Sequence, residues 1–314
     1  NRRGVYDFGM IRVFASTRLG LIERRLSCGK RQKIKVYPSY LMLHRYELLA
    51  MSDNLTELGI KKIRRVGHQT EFEQIKEYVK GDDYRTINWK ASARRHQLMV
   101  NVYQDERSQQ IYNVIDKGRV MQQAFQGVTL LDYAINASLV LSYVAMRKDD
   151  KAGLVTFNEH FDTFVPASKQ VGQMQTLLES LYAQETTFGE TDFSALCVHL
   201  AKHVNKRSLL VLYTNFGSLG SMNRQLAYLQ QLSRQHRLLV VFFEDADLKE
   251  YISKKPVDTE GYYRQVIAEK FAYEKRLIVT TLKQNGIYSV LTTPDKLSID
   301  VLNKYLEIKS RQLI

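Results

Sequence analysis

Ile111-Tyr112-Asn113-Val114-Ile115-Asp116 is a short apolar run that stops on a carboxylate, and runs of the same kind return as Ala152–Phe157, Ser208–Tyr213, Leu238–Phe243 and Ile287–Leu291. Their length, four to eight residues, is that of strands. Helical spacing separates them. Leu130–Met146 carries Leu131, Ala134, Ile135, Ser138, Leu141, Val144 and Ala145 on one side, and Gln173–Tyr182, Phe193–Val204, Ser221–Arg234, Tyr262–Lys283 and Ile299–Ile308 read the same way. Gly286 stands where the long fifth helix needs a left-handed cap. Phe161–Val165 is close enough to the Ala152–Phe157 strand to fold back on it as a hairpin. Continuous apolar strands separated by helices predict a doubly wound, mostly parallel sheet covered on both faces, over residues 109–314. Ligands in such sheets sit at the carboxyl ends of strands, near the switch in strand order, which directs attention to Asp116, Thr214, Asn215 and Glu244.

Upstream the pattern is different. Met10–Ser16 and Lys33–Tyr37 alternate apolar and polar residues, so residues 1–45 read as part of a small β-rich domain. Residues 46–108 connect the two. They hold a helical spacing at Glu47–Leu58, a basic glycine-containing stretch at Lys61–Gly67, the stretch Glu71–Val79, a dense polar segment from Gly81 to Arg95, and a strand at Leu98–Tyr103.

The 314-residue chain has the apolar and charged content of a globular protein and no repeat or low-complexity stretch. Cys28 and Cys197 match no metal spacing and suit a reducing compartment. No apolar run approaches the roughly 18 residues that span a bilayer. Beginning at Asn1 in mid-pattern, the sequence reads as a piece of a longer protein. Its net charge of +13 favours acidic partners, and the excess is concentrated before Lys35. A basic segment there reads as a juxtamembrane cytoplasmic region ahead of nucleic-acid binding, because stacking aromatics are not interleaved with it. The expected location is the cell membrane, with these residues on the cytoplasmic side.

Gly81-Asp82-Asp83-Tyr84-Arg85-Thr86-Ile87-Asn88-Trp89-Lys90-Ala91-Ser92-Ala93-Arg94 resembles the signature of the domain of unknown function 58 family. Glu71, Phe72, Ile75, Glu77 and Tyr78 before it, and Leu98, Val100 and Glu106-Arg107 after it, fit as well. The resemblance implies a von Willebrand factor A-like domain from Gln109 onward, transmembrane helices ahead of Asn1, and a MoxR-type AAA+ ATPase as working partner. Read for its own chemistry, the segment offers two alternatives. Asp82 and Asp83 with Arg85 and Arg94 form an ion-paired lock anchored by Trp89, or these residues together with Asn88 and Ser92 of the same segment form a docking surface.

A-type domains often hold a divalent cation on Asp-x-Ser-x-Ser, a later Thr and a later Asp, and Mg²⁺ wants such oxygen ligands. Here Gly118 and Val120 replace both serines, Lys117 and Arg119 bring positive charge, and Asn215 stands for the last aspartate. Asp116 and Thr191 remain, with Asp192 as a substitute ligand. The expectation is a polar rim without a cofactor, Asp116 pairing with Lys117, Arg119 or another cation or accepting backbone N–H groups. A degenerate Mg²⁺ site for binding or hydrolysis is the alternative.

His199 and His203 lack the glutamate of a zinc helix, because Leu200 follows His199, and they read as solvated or capping residues. Phe216-Gly217-Ser218-Leu219-Gly220 follows a strand but lacks any nucleotide-loop spacing. Glu244-Asp245-Ala246-Asp247 reads first as loop and helix cap, second as part of a binding surface. With no complete catalytic constellation, the expected function is that of a non-enzymatic protein-binding adaptor; the alternatives are Mg²⁺-dependent chemistry and nucleic-acid association.

Overall fold

The computed structural model describes residues 3–16, 20–38, 71–79, 82–104, 108–186, 189–245, 248, 251–252 and 258–311. The helix expected at Glu47–Leu58 and the loop at Lys61–Gly67 lie outside them, as do Gly81, Ala246 and Asp247.

The β-rich segment is a ribbon. β1 (Gly4–Phe8) pairs antiparallel with β4 (Gln32–Val36), and β2 (Ile11–Ser16) with β3 (Glu23–Cys28). The alternation in Met10–Ser16 and Lys33–Tyr37 marks two of these strands; β1 and β3 were not legible. Glu71–Glu77 forms β5, antiparallel to β6 (Met99–Gln104), and the polar segment between them supplies a short helix, α1 (Trp89–Arg95).

Six strands build the main sheet: β7 (Gln110–Asp116), β10 (Lys151–Phe157), β11 (Phe161–Ser168), β12 (Leu209–Tyr213), β13 (Arg237–Phe243) and β14 (Tyr288–Thr292). A two-residue hairpin, β8 (Ala124–Phe125) and β9 (Val128–Thr129), lies between the first two of them. The order is β11-β10-β7-β12-β13-β14, all neighbours parallel except β11, which returns antiparallel along β10. Numbered within the domain this is 3-2-1-4-5-6, the doubly wound order, with its switch point between β7 and β12. The chain has a doubly wound, mostly parallel α/β fold.

Alternate residues of each strand feed two cores. Ile111, Ile115, Val211, Tyr213, Leu239 and Val241 face α2 (Leu130–Arg147), α3 (Gln173–Leu181) and α7 (Leu297–Ser310). Tyr112, Val114, Leu210, Leu212, Val240 and Phe242 face α4 (Phe193–His203), α5 (Leu219–Gln235) and α6 (Thr259–Gln284). Burial on both faces explains why these strands read as unbroken apolar runs. Each fully buried Leu or Ile contributes about 1.5–3 kcal/mol. Gly286 does take a left-handed φ, +71°, at the end of α6.

One polar cluster is enclosed where α7 closes on the sheet. Asp150 is fully buried and accepts from Lys309 Nζ (2.5 Å), Tyr305 Oη (2.5 Å) and the Gln109 backbone N–H (3.1 Å). Lys309 also donates to the Lys148 carbonyl at 2.9 Å. The last helix is thereby tied to the turn that leads into β10.

Candidate functional site

Asp116 ends β7 at the switch point and is buried. Its Oδ1 accepts from the Thr191 hydroxyl (2.6 Å) and the Gly118 N–H (2.8 Å), and its Oδ2 from the Thr214 hydroxyl (2.6 Å). Loss of water around the carboxylate raises its pKa above the usual range; the three hydrogen bonds oppose that rise without cancelling it. The neighbouring cations are engaged elsewhere, Lys117 Nζ with Asp162 at 2.6 Å and Arg119 with Glu190 at 3.7 Å. Of the two expectations for Asp116, the backbone N–H contact is formed and the pairing with Lys117 or Arg119 is not.

The other rim residues divide. Thr191 sits on Asp116, whereas Asp192 turns away and caps α4, accepting from Ser194 N (2.7 Å) and Ala195 N (3.1 Å). Asn215 does not meet Asp116 either; its Oδ1 accepts from Lys275 Nζ at 2.7 Å. Thr214 takes that place because β12 lies in register with β7, Tyr213 beside Ile115, so that the next residue falls beside Asp116. A Cβ at Gly118 would stand 2.2 Å from Thr191 Oγ1 and 3.1 Å from Asp116 Oδ1, so the threonine hydroxyl occupies the room of a serine side chain. A divalent cation needs a near-octahedral set of oxygens. Here there is one carboxylate, both of its oxygens hold hydroxyls, and the second carboxylate faces a helix. The residues as arranged do not fit Mg²⁺.

Beside this closed centre lies a cleft of about 340 Å³, lined by Phe125, Leu130, Phe243, Phe271, Asn215 and Lys275 among others. Phe125 reaches it from the β8–β9 hairpin, whose turn residues Gln126 and Gly127 both have positive φ (51° and 79°), the backbone that a tight two-residue turn requires. Lys275 projects from α6, with Nζ 5.8 Å from the centre of the Phe242 ring. Burial pushes its pKa down to about 8, and the charge of Asp245 offsets part of that fall. The sign of the resulting pH dependence is fixed. Between about 8 and the ordinary 10.5 the unfolded chain holds a proton that the folded one has released, so folding gains stability as pH rises through that window. Urea melts across the window should show this rise in the wild type and a flatter profile in Lys275→Met.

The signature segment is held by short-range bonds. Asp82 accepts from the Val79 N–H (2.9 Å) and pairs with Lys76 Nζ (2.9 Å); the N–H first and the lysine second keep its carboxyl below the usual range. Asp83 accepts from Arg85 N at 3.0 Å and starts a single 3₁₀ turn. Asn88 caps α1 through Ala91 N (3.0 Å) and donates to Asn101 Oδ1 (2.8 Å). Ser92 donates to the Asn88 carbonyl (2.8 Å) and accepts from Met99 N (2.9 Å). Asn88 and Ser92 therefore clamp α1 onto β6. The expected lock between the two aspartates and Arg85 and Arg94 is not what forms. Arg85 lies over the ring of Tyr84, 5.7 Å from its centre, and Arg94 is in the last turn of α1. Trp89 is not an anchor: it is 70% exposed, and Tyr84 is 69% exposed. Met99 and Val100 on β6 are the buried residues here.

His199 stacks on Phe161 (4.4 Å between ring centres), and His203 Nδ1 lies 2.8 Å from the His199 carbonyl. Ser218, in the glycine-rich loop, caps α5 in a reciprocal capping box with Ser221. Asp245 accepts from Leu248 N at 3.2 Å, and both Glu244 and Asp245 line the cleft. Among the described residues no group of three or more His, Cys, Asp or Glu is placed to hold a metal, and no helix is long and apolar enough to cross a membrane.

Comparison with known proteins bears on the same segments. Among curated proteins, the uncharacterized protein YeaD of Bacillus subtilis (strain 168) is 27% identical over 162 residues, which are 52% of this chain and 38% of that protein. The match thus spans well under half the length of that relative. Three solved structures overlap loosely. The SpRpn10 VWA domain has a TM-score of 0.37 at 10% identity, covering 62% of this chain and 93% of its own. The conserved hypothetical protein BatB from Bacteroides thetaiotaomicron scores 0.41 at 13% identity, covering 65% and 98%. An aerotolerance-related membrane protein from Bacteroides fragilis NCTC 9343 scores 0.36 at 14%, also covering 65% and 98%. Residues 74–250, more than half the chain and including the whole signature from Gly81 to Arg94, match the family described as protein of unknown function DUF58. The chain belongs to the DUF58 family.

Proposed function

We propose that this chain is a non-enzymatic docking module, held at the cytoplasmic face of the cell membrane, that binds a MoxR-type AAA+ ATPase through its signature face. The observation that supports the reading is the position of Trp89. It is the one tryptophan of the chain, it is largely exposed, and it stands at the first position of a helix fixed by Asn88 and Ser92. Tyr84 and Arg85 stand close by in the sequence, on the turn before it. Tryptophan, tyrosine and arginine on a preorganised support are the residue types that dominate protein–protein binding energy. Asp116, the carboxylate at the switch point, is already engaged by two hydroxyls and an N–H, which argues against acid–base work there.

The test is capture of a purified MoxR-type ATPase, loaded with a non-hydrolysable nucleotide, on the immobilised chain. Trp89→Ala is expected to weaken capture by about 30-fold, as for a central interface residue, with an unchanged melting temperature. No capture by the wild type, or equal capture by the variant, overturns the reading.

A further inference from the structure

β1 to β4 make one long two-stranded ribbon, and its base is fixed to the α/β domain. Arg3 bonds Asp132 in the first turn of α2 (2.5 Å) and the carbonyls of Leu181, the last residue of α3, and of Tyr182 and Gln184 just after it. Tyr37 packs against Tyr182, ring centres 5.5 Å apart, and Lys35 Nζ lies 5.1 Å above the same ring. Beyond that base, every described residue from Val5 to Lys35 is exposed.

That exposure is unusual for what the ribbon carries. Cross-strand register places Ile11 beside Cys28, Val13 beside Leu26 and Ala15 beside Arg24 on one face. Arg12, Ser27, Phe14 and Arg25 occupy the opposite face. At the distal turn Leu21 is 81% exposed and Ile22 67%. An isolated two-stranded ribbon is marginal in water, and a contiguous aliphatic face marks a binding surface. The charge narrows the choice of what covers it. Residues 4–36 hold eight basic side chains against Asp7 and Glu23, so the counterpart is anionic. The aliphatic residues call for a surface that is also apolar beneath its charge. On that face Ile11, Val13, Ala15 and Leu26 offer no ring to stack on bases, which disfavours nucleic acid there, and the exposed Phe14 stands on the opposite face beside Arg25. Anionic headgroups over acyl chains satisfy both demands.

We propose that the ribbon is a peripheral membrane-binding element: its aliphatic face and Leu21–Ile22 tip enter the headgroup region of an anionic bilayer, and its arginines and lysines hold the lipid phosphates. This inference rests on the membrane part of the reading above and not on docking through Trp89. Shallow insertion of an apolar face with flanking basic residues is how interfacial elements bind without crossing, and long basic side chains reach back to the headgroups.

Sedimentation of the chain with vesicles tests it, using equal parts phosphatidylglycerol and phosphatidylcholine against pure phosphatidylcholine. The wild type should sediment with the anionic vesicles and be released by salt. Replacing Arg24 or Arg25 by Gln should weaken binding by about five-fold each. Leu21→Asp with Ile22→Asp should abolish it while leaving the melting curve intact, since both side chains already face water. A polarity-sensitive dye on Cys28, which is exposed on the aliphatic face while Cys197 is buried, should shift to the blue on anionic vesicles alone. No sedimentation, equal binding to both vesicles, an unaffected tip variant, or competition by single-stranded nucleic acid for an unshifted dye would each overturn it. ATPase capture can survive that failure, and loss of capture leaves the vesicle result standing.

Discussion

Asp150→Ala is expected to remove about 3–5 kcal/mol from the stability of the α/β domain, the largest effect among these variants. The carboxylate is fully buried and is the acceptor for Lys309 Nζ, Tyr305 Oη and the Gln109 N–H. Without it, an ammonium with 9% side-chain exposure keeps the Lys148 carbonyl as a partner but loses its counter-charge. An uncompensated buried charge is far more costly than the intact pair is favourable. At about 2–4 °C per kcal/mol for a domain of this size, the melting temperature should fall by roughly 6–20 °C. Adding Lys309→Met and Tyr305→Phe, which remove the charge and the orphaned hydroxyl together, should recover most of the loss. A fall of only a degree or two in the single variant would show that α7 is not held by this cluster.

The second large effect concerns Asp116 and separates its shape from its charge. Asp116→Ala strips the acceptor from two threonine hydroxyls and the Gly118 N–H and opens a small cavity, which together cost about 2–4 kcal/mol. Asp116→Asn keeps the shape and can still accept from Thr191 and Gly118. Its effect depends on pH. Because burial holds the folded carboxyl above its ordinary value of 3.8, the folded state binds the proton more tightly than the unfolded state does. Stability therefore falls as pH rises out of the ordinary aspartate range through the raised folded value, and the deficit persists above it. The asparagine variant has no such deficit. Its advantage over the wild type should be small near about pH 4 and larger by about pH 7 in paired urea melts. Parallel profiles across that interval would mean that the three hydrogen bonds offset the loss of water in full.

The sheet was legible because its chemistry is simple: Leu209–Tyr213 and Arg237–Phe243 are buried on both faces, so no polar residue interrupts them. The antiparallel return of β11 was legible from its closeness to β10. The ribbon strand β3, Glu23-Arg24-Arg25-Leu26-Ser27-Cys28, was not, because Arg24 and Arg25 put charge on both of its faces and only Leu26 and Cys28 mark the apolar one. In the signature segment the long-range ion pairs suggested by the sequence lost to nearer bonds. Asp82 found the Val79 N–H three residues away and Lys76 six away, and Asp83 capped its own turn. Trp89 looked like an anchor on hydrophobicity alone, but a seven-residue helix clamped by Asn88 and Ser92 needs none. At the rim the sequence named both Thr214 and Asn215. Choosing between them required the β7–β12 register, which puts the threonine on Asp116 and the asparagine on Lys275.

The close approach of Thr191 to Gly118 makes the choice of residue at one position conditional on the other. A serine at 118 would thrust a side chain into the threonine hydroxyl, 2.2 Å from its first carbon, and that hydroxyl would have to swing off Asp116 before the newcomer could take up any role. The two positions are a matched pair, and a side chain added at the first has to be absorbed by the second.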